Sequence, residues 1–155
     1  MSWKSRSIQK FNENLIRKQK IIVPREIKRI GLVIDNNRKS DYFDVHQIRK
    51  EMAKYFGIDR SNVSAMEFVE KNKHSAQDDF WFSESDFSFF GKIKYANLRD
   101  FLNRDFDMLI NYQNKENLFL NHLNLRSKSS FKVGFASARL DGLALEFRGN
   151  NEMDI

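Results

Sequence analysis

The stretch that decides the fold is residues 30–35, Ile-Gly-Leu-Val-Ile-Asp. Its apolar residues do not alternate with polar ones. A short unbroken run of this kind reads as a strand covered on both faces, the habit of parallel sheets. The chain downstream fits that reading. Residues 42–56 place Phe43, Ile48, Met52 and Phe56 on one side at helical spacing, and Gly57 stands where a helix C-cap glycine belongs. Residues 63–69 form a second strand pattern, and 80–82 a short third one. Residues 96–103 are helical through Leu98, Phe101 and Leu102, and they lead into 106–112 (FDMLINY), a strong strand. A helix at 116–126, apolar at Leu118, Phe119, Leu123 and Leu125, precedes a strand at 131–135 (FKVGF) and an edge strand at 143–147. Strands alternating with helices of this length predict right-handed βαβ units. The fold class is α/β: a Rossmann-like three-layer domain with a mostly parallel sheet over residues 30–148. Residues 149–155 are left as a short C-terminal tail.

Residues 1–29 stand apart by charge. Lys4, Arg6, Lys10, Arg17, Lys18, Lys20, Arg25, Lys28 and Arg29 face only Glu13 and Glu26, a surplus of seven positive charges. The other 126 residues hold 18 bases and 19 acids, so the net +6 is a basic segment joined to a nearly neutral body. A helix is expected over 3–20, with Ile8, Phe11, Leu15 and Ile16 on one face and Arg6, Lys10, Arg17 and Lys20 on the other. Trp3, Lys10 and Arg17 are seven apart and share a stripe on the basic face. Pro24, the only proline, ends this unit and starts a linker to the body. A basic amphipathic N-terminal helix thus precedes the α/β domain.

This layout points to a polyanionic partner. The nine bases with Trp3 are the candidate contact residues, and three readings stand. The helix would bind phosphates of RNA, with Trp3 stacking on a base. It would instead lie on anionic lipid with Phe11 and Leu15 inserted. Or its apolar face packs on the body and the basic face is merely solvated.

The body offers weaker leads. Ligands of open α/β sheets bind beyond the carboxyl ends of strands. Asp35, Asn36 and Asn37 follow the first strand there, Asn111 lies near the end of the 106–112 strand, and Gly134 lies in the 131–135 strand. These five would line a small-ligand pocket, against the plainer reading that they cap helices and turn the chain. No G-x-G-x-x-G follows the first strand and no G-x-x-x-x-G-K-[ST] occurs, so the phosphate-cradling glycines are missing. With no cysteine, and with His46, His74 and His122 outside metal-ligand spacing, no metal or cofactor is expected. Asp41 reads as an N-cap. No serine stands in a G-x-S-x-G elbow, and no catalytic residue is singled out.

The densest aromatic cluster is Phe80, Trp81, Phe82, Phe87, Phe89 and Phe90, among Asp78, Asp79, Glu84 and Asp86. The acids repel phosphate, so core packing or a protein partner docked on segment 80–90 is the expectation. The longest apolar run near the N-terminus is residues 21–23, too short for a signal h-region of about 7–15 residues. A cytoplasmic protein is expected.

Several pieces recur together elsewhere: Val23-Pro24-Arg25 after a basic helix, the strand at 30–35, the turn at 87–91, the strands at 106–111 and 131–134, and the ending Met153-Asp154-Ile155. On these the chain resembles, over nearly its whole length, a family of small bacterial α/β proteins of unknown function. The resemblance implies a bacterial cytoplasmic protein and supplies no activity. Residues 106–135 are also locally similar to the acceptor half of heptosyltransferase-type glycosyltransferases. The second, sugar-nucleotide-binding domain of those enzymes has no room in 155 residues. The functional expectation is a non-enzymatic protein that docks through its basic helix on RNA or a ribonucleoprotein such as the ribosome. The alternatives are a small-ligand protein or enzyme at the strand ends, and a peripheral membrane protein.

Overall fold

The computed structural model describes residues 1–36, 44–69, 80–113 and 115–148. Six strands form one parallel sheet: β1 (Ile30–Asp35), β2 (Val63–Phe68), β3 (Trp81–Phe82), β4 (Met108–Tyr112), β5 (Lys132–Phe135) and β6 (Leu145–Phe147). Their spatial order is β3-β2-β1-β4-β5-β6, and every pairing is parallel. The apolar run at 30–35 is the central strand, paired with β2 on one side and β4 on the other. That position explains its missing alternation, because both of its faces are buried. Gly31 is required there: a Cβ would stand 2.7 Å from the Phe106 ring and 2.9 Å from Leu109.

The four helices are α1 (Trp3–Ile16), α2 (Val45–Phe56), α3 (Ala96–Asn103) and α4 (Leu118–Arg126). Helix α2 covers one face of the sheet, over Leu32, Ile34, Ala65 and Met108. Helices α1, α3 and α4 cover the other, over Val33, Met66, Phe68 and Leu109. Successive crossovers to opposite sides of β1 put their helices on opposite faces, as right-handed connections demand. The α/β expectation holds, as a three-layer arrangement with an all-parallel sheet.

Two boundaries move. Helix α2 begins at Val45, with Asp44 as N-cap accepting from the His46 amide at 2.9 Å. Phe43 and the expected cap Asp41 lie outside the described residues, as do residues 149–155. Gly57 does cap α2, at φ 65°. Helix α1 ends at Ile16 rather than at residue 20. The chain turns there because Gln19 swings inward, and its amide donates to the Leu15 and Leu125 carbonyls, each at 3.1 Å.

Candidate nucleic-acid interface

Helix α1 is built into the domain. Ser2 caps it, its hydroxyl accepting from the Ser5 amide at 3.1 Å. Ile8 enters the core beside Leu120 and Leu123 of α4. One turn later Asn12 is also buried, against His122 of α4. The imidazole is fully covered, and burial pushes its pKa down to about 4, with the Arg126 charge adding and the bond to Gly91 opposing. The ring is therefore neutral and has one N–H. Its Nε2 lies 3.0 Å from the Gly91 carbonyl, an acceptor only, so Nε2 carries the proton and donates there. Nδ1 then has only a lone pair, yet it faces Asn12 Oδ1 at 2.6 Å while Asn12 Nδ2 has no partner. Turning the Asn12 amide over, so that its NH2 donates to Nδ1, satisfies both groups in the same volume. One buried histidine thus ties together α1, α4 and the turn at residues 88–92.

A second polar tie sits at the end of α1. Lys132, on β5, is buried, and desolvation pushes its ammonium down to about 8. It donates to Gln19 Oε1 at 2.7 Å. Lys4 supplies a third: its ammonium donates to the Glu84 carbonyl and lies 5.8 Å from the centre of the Phe119 ring. Lys4 is therefore committed to the fold, a correction to its place among the polyanion contacts.

These ties fix which way the helix faces. Trp3 is 81% exposed, and Arg6, Lys10 and Arg17 are exposed with it. Lys18, Lys20 and Arg25 continue the surface. None of these six cationic side chains forms an ion pair with a described residue. Lys28 pairs with Glu26 at 3.1 Å, in the open. The Lys28 and Arg29 amides both donate to Asp107 Oδ2 at 2.8 Å, which fastens the linker to the amino ends of β1 and β4. A groove of about 240 Å³ lies there, lined by Ile22, Pro24, Phe106 and Phe131 among others.

The five proposed pocket residues do not come together. Asn111 is buried, and its amide nitrogen donates to Asn124 Oδ1 at 2.8 Å. A Cβ at Gly134 would meet Leu143 at 3.2 Å and Leu140 at 3.3 Å. Leucine side chains thus fill the space over Gly134, and these two residues belong to the interior, not to a pocket. Asn36 turns to the α2 face and donates to the buried Glu67 carboxylate at 2.6 Å. Asp35, one residue earlier in the strand, points to the opposite face. Asn37 lies outside the described residues. At the carboxyl end of β4, Gln113 is buried with both amide atoms unpartnered. Among the described residues no cluster of His, Cys, Asp and Glu suits a metal ion.

A family model matches residues 4–153, almost the whole chain. The chain belongs to DUF6913, a family of unknown function. No curated protein and no solved structure is matched. The full-length resemblance to a family of unknown function is thereby borne out, and nothing extends the local likeness to heptosyltransferases. Among the described residues of this DUF6913 protein, no helix is long and apolar enough to cross a membrane.

Sequence reading missed Asn12, Gln19, His122 and Lys132 as the residues that orient α1. Asn12 had a signal, a polar residue one turn beyond Ile8 and one before Leu15 on the same face. The arginines of the body gave none. Arg49 donates to the Val63 carbonyl at 2.6 Å, and burial, then the charges of Arg60 and Arg104, hold its pKa below the usual arginine value.

Proposed function

We propose that this DUF6913 protein is a non-enzymatic cytoplasmic binding protein that docks on RNA, or on a ribonucleoprotein such as the ribosome, through the outer face of α1 and the linker after it. The observation that carries this reading is the state of the helix. Its inner face is locked by buried polar bonds, while Arg6, Lys10 and Arg17 stand outward and form no ion pair with a described residue. Fixed, unpaired cations beside an exposed tryptophan suit a phosphate backbone with bases close by. A lipid surface is disfavoured for this helix, because Ile8 is in the core and Leu15 is half-buried, so much of the apolar face that would insert is already taken up by the domain.

The test is RNA affinity measured against salt. Affinity should fall steeply between about 50 and 200 mM salt, with a log–log slope of about −0.7 per phosphate neutralised on a single strand. The double substitution Lys10→Ala/Arg17→Ala should weaken binding and make the slope shallower by about 1.4. Affinity that is absent, or indifferent to salt, ends the proposal. Point substitutions are the right tool, since deleting residues 1–20 would strip Ile8 and Asn12 from the core.

A further inference from the structure

Phe89 and Phe90 are 63% and 71% exposed, side by side at the tip of the turn at residues 88–92. The turn is not loose. The Ser88 amide donates to the Lys92 carbonyl at 2.7 Å, and the Ser88 hydroxyl accepts from the Phe90 and Lys92 amides at 3.3 and 3.0 Å. Gly91 closes it at φ 71°, and the Gly91 carbonyl receives the N–H of the buried His122. A lone exposed phenylalanine is ordinary. Two in succession, on a tip bonded to a buried histidine, are a surface held out on purpose.

The neighbours say what that surface meets. The turn runs beside α1, since a Cβ at Gly91 would lie 3.4 Å from the Phe11 ring, and Phe11 is itself partly exposed. Next to Phe11 in the chain is Lys10, on the crest with Trp3 and Arg17. The crest from Trp3 to Arg17 is about 21 Å long at helical rise. Lys92 and Lys94 are exposed just after the turn's tip, and the exposed acids described on the turn and on α1 are Glu84 and Glu13. Bare aromatic rings thus flank a cationic rail.

We infer that the nucleic acid this surface takes is single-stranded, with Phe89 and Phe90 stacking on unpaired bases while Lys10 and Arg17 hold the phosphates. The inference rests on the RNA reading and narrows it. In a duplex the base faces are already stacked on one another and offer phenyl rings nothing. An unpaired strand has free base faces, and stacking on them tolerates any sequence.

The experiment is fluorescence anisotropy with a short labelled RNA of mixed sequence, free and annealed to its complement. Phe89→Ala/Phe90→Ala should lose about tenfold or more in affinity for the single strand and nothing for the duplex. Lys10→Glu/Arg17→Glu should lose both. If the phenylalanine variant holds the single strand as the native chain does while the charge variant lets go, the inference falls and the RNA reading stands. If the native chain binds neither RNA, both fall. If the phenylalanine variant loses phosphatidylserine vesicles but keeps its RNA affinity, a lipid surface replaces the inference. Both rings are exposed, so an unchanged urea midpoint should certify the fold of the variant.

Discussion

Helices α1 and α2 are both amphipathic, both capped by a side-chain oxygen, and both laid on the same sheet from opposite sides. They are held differently. Helix α2 is a crossover between β1 and β2, and its buried residues are the apolar Val45 and Ala53. The chain direction leaves it one place to go. Helix α1 belongs to no crossover, and a linker joins it to β1. What it buries is one isoleucine and one asparagine, Ile8 and Asn12. Its position is specified by polar bonds at both ends and the middle: Lys4 to Glu84, Asn12 to His122, and Gln19 to Leu125 and Lys132. Hydrophobic contact is non-directional, whereas a buried amide meeting an imidazole fixes rotation as well as place. Topology orients α2. Hydrogen bonds orient α1, and so they decide that its cations face solvent.

That contrast can be broken most sharply at the histidine. His122→Ala should cost about 3–4 kcal/mol in urea unfolding, from the cavity and from the orphaned Asn12 amide and Gly91 carbonyl. Hydrogen exchange should quicken in α1 and in the turn at 88–92 more than in α2. Equal loosening of both helices would mean that α1 is held by apolar packing after all.

Acid should do nearly as much. The imidazole titrates near 6.5 when unfolded and near 4 in the fold, so between those values the unfolded chain binds more protons. Stability should fall as pH drops from 6.5 toward 4, by roughly 3 kcal/mol for this group. The drop belongs to His122 only to the extent that it shrinks in the His122→Ala chain, which separates it from carboxylate titration.

Gln19→Ala should be milder, about 1.5 kcal/mol, because it strips the buried Lys132 ammonium of its acceptor. The same substitution should lower the Lys132 pKa further below about 8, measurable by NMR titration. On the outer face, Lys10→Ala and Arg17→Ala should each move stability by less than about 0.5 kcal/mol. A larger loss would show that those side chains support the fold.

How much was legible varies with the kind of force. The β1 run, the helix at 96–103 and Gly57 were readable because burial on both faces, helical period and a left-handed cap each leave a local imprint. The strand ends were misjudged at Asn111 and Gly134. Their covering groups, Asn124, Leu140 and Leu143, come from segments whose approach no local pattern records. The aromatic cluster split for the same reason. Phe82 and Phe87 went into the core, and Phe89 and Phe90 stayed out, although the two pairs look alike in sequence.

By itself the sequence determined the α/β class, the order of strands and helices along the chain, the family, and the segregation of positive charge into residues 1–29. These follow from composition and from periods that neighbouring residues share. Only the tertiary structure decided that α1 is part of the domain, that Lys4 bonds to the Glu84 carbonyl, and that the turn carrying two bare phenylalanines runs beside α1 at Phe11. Each of those depends on contacts between residues far apart in the chain, Asn12 with His122 above all. A hydrogen bond across that separation exists only once the sheet has brought α4 beneath α1.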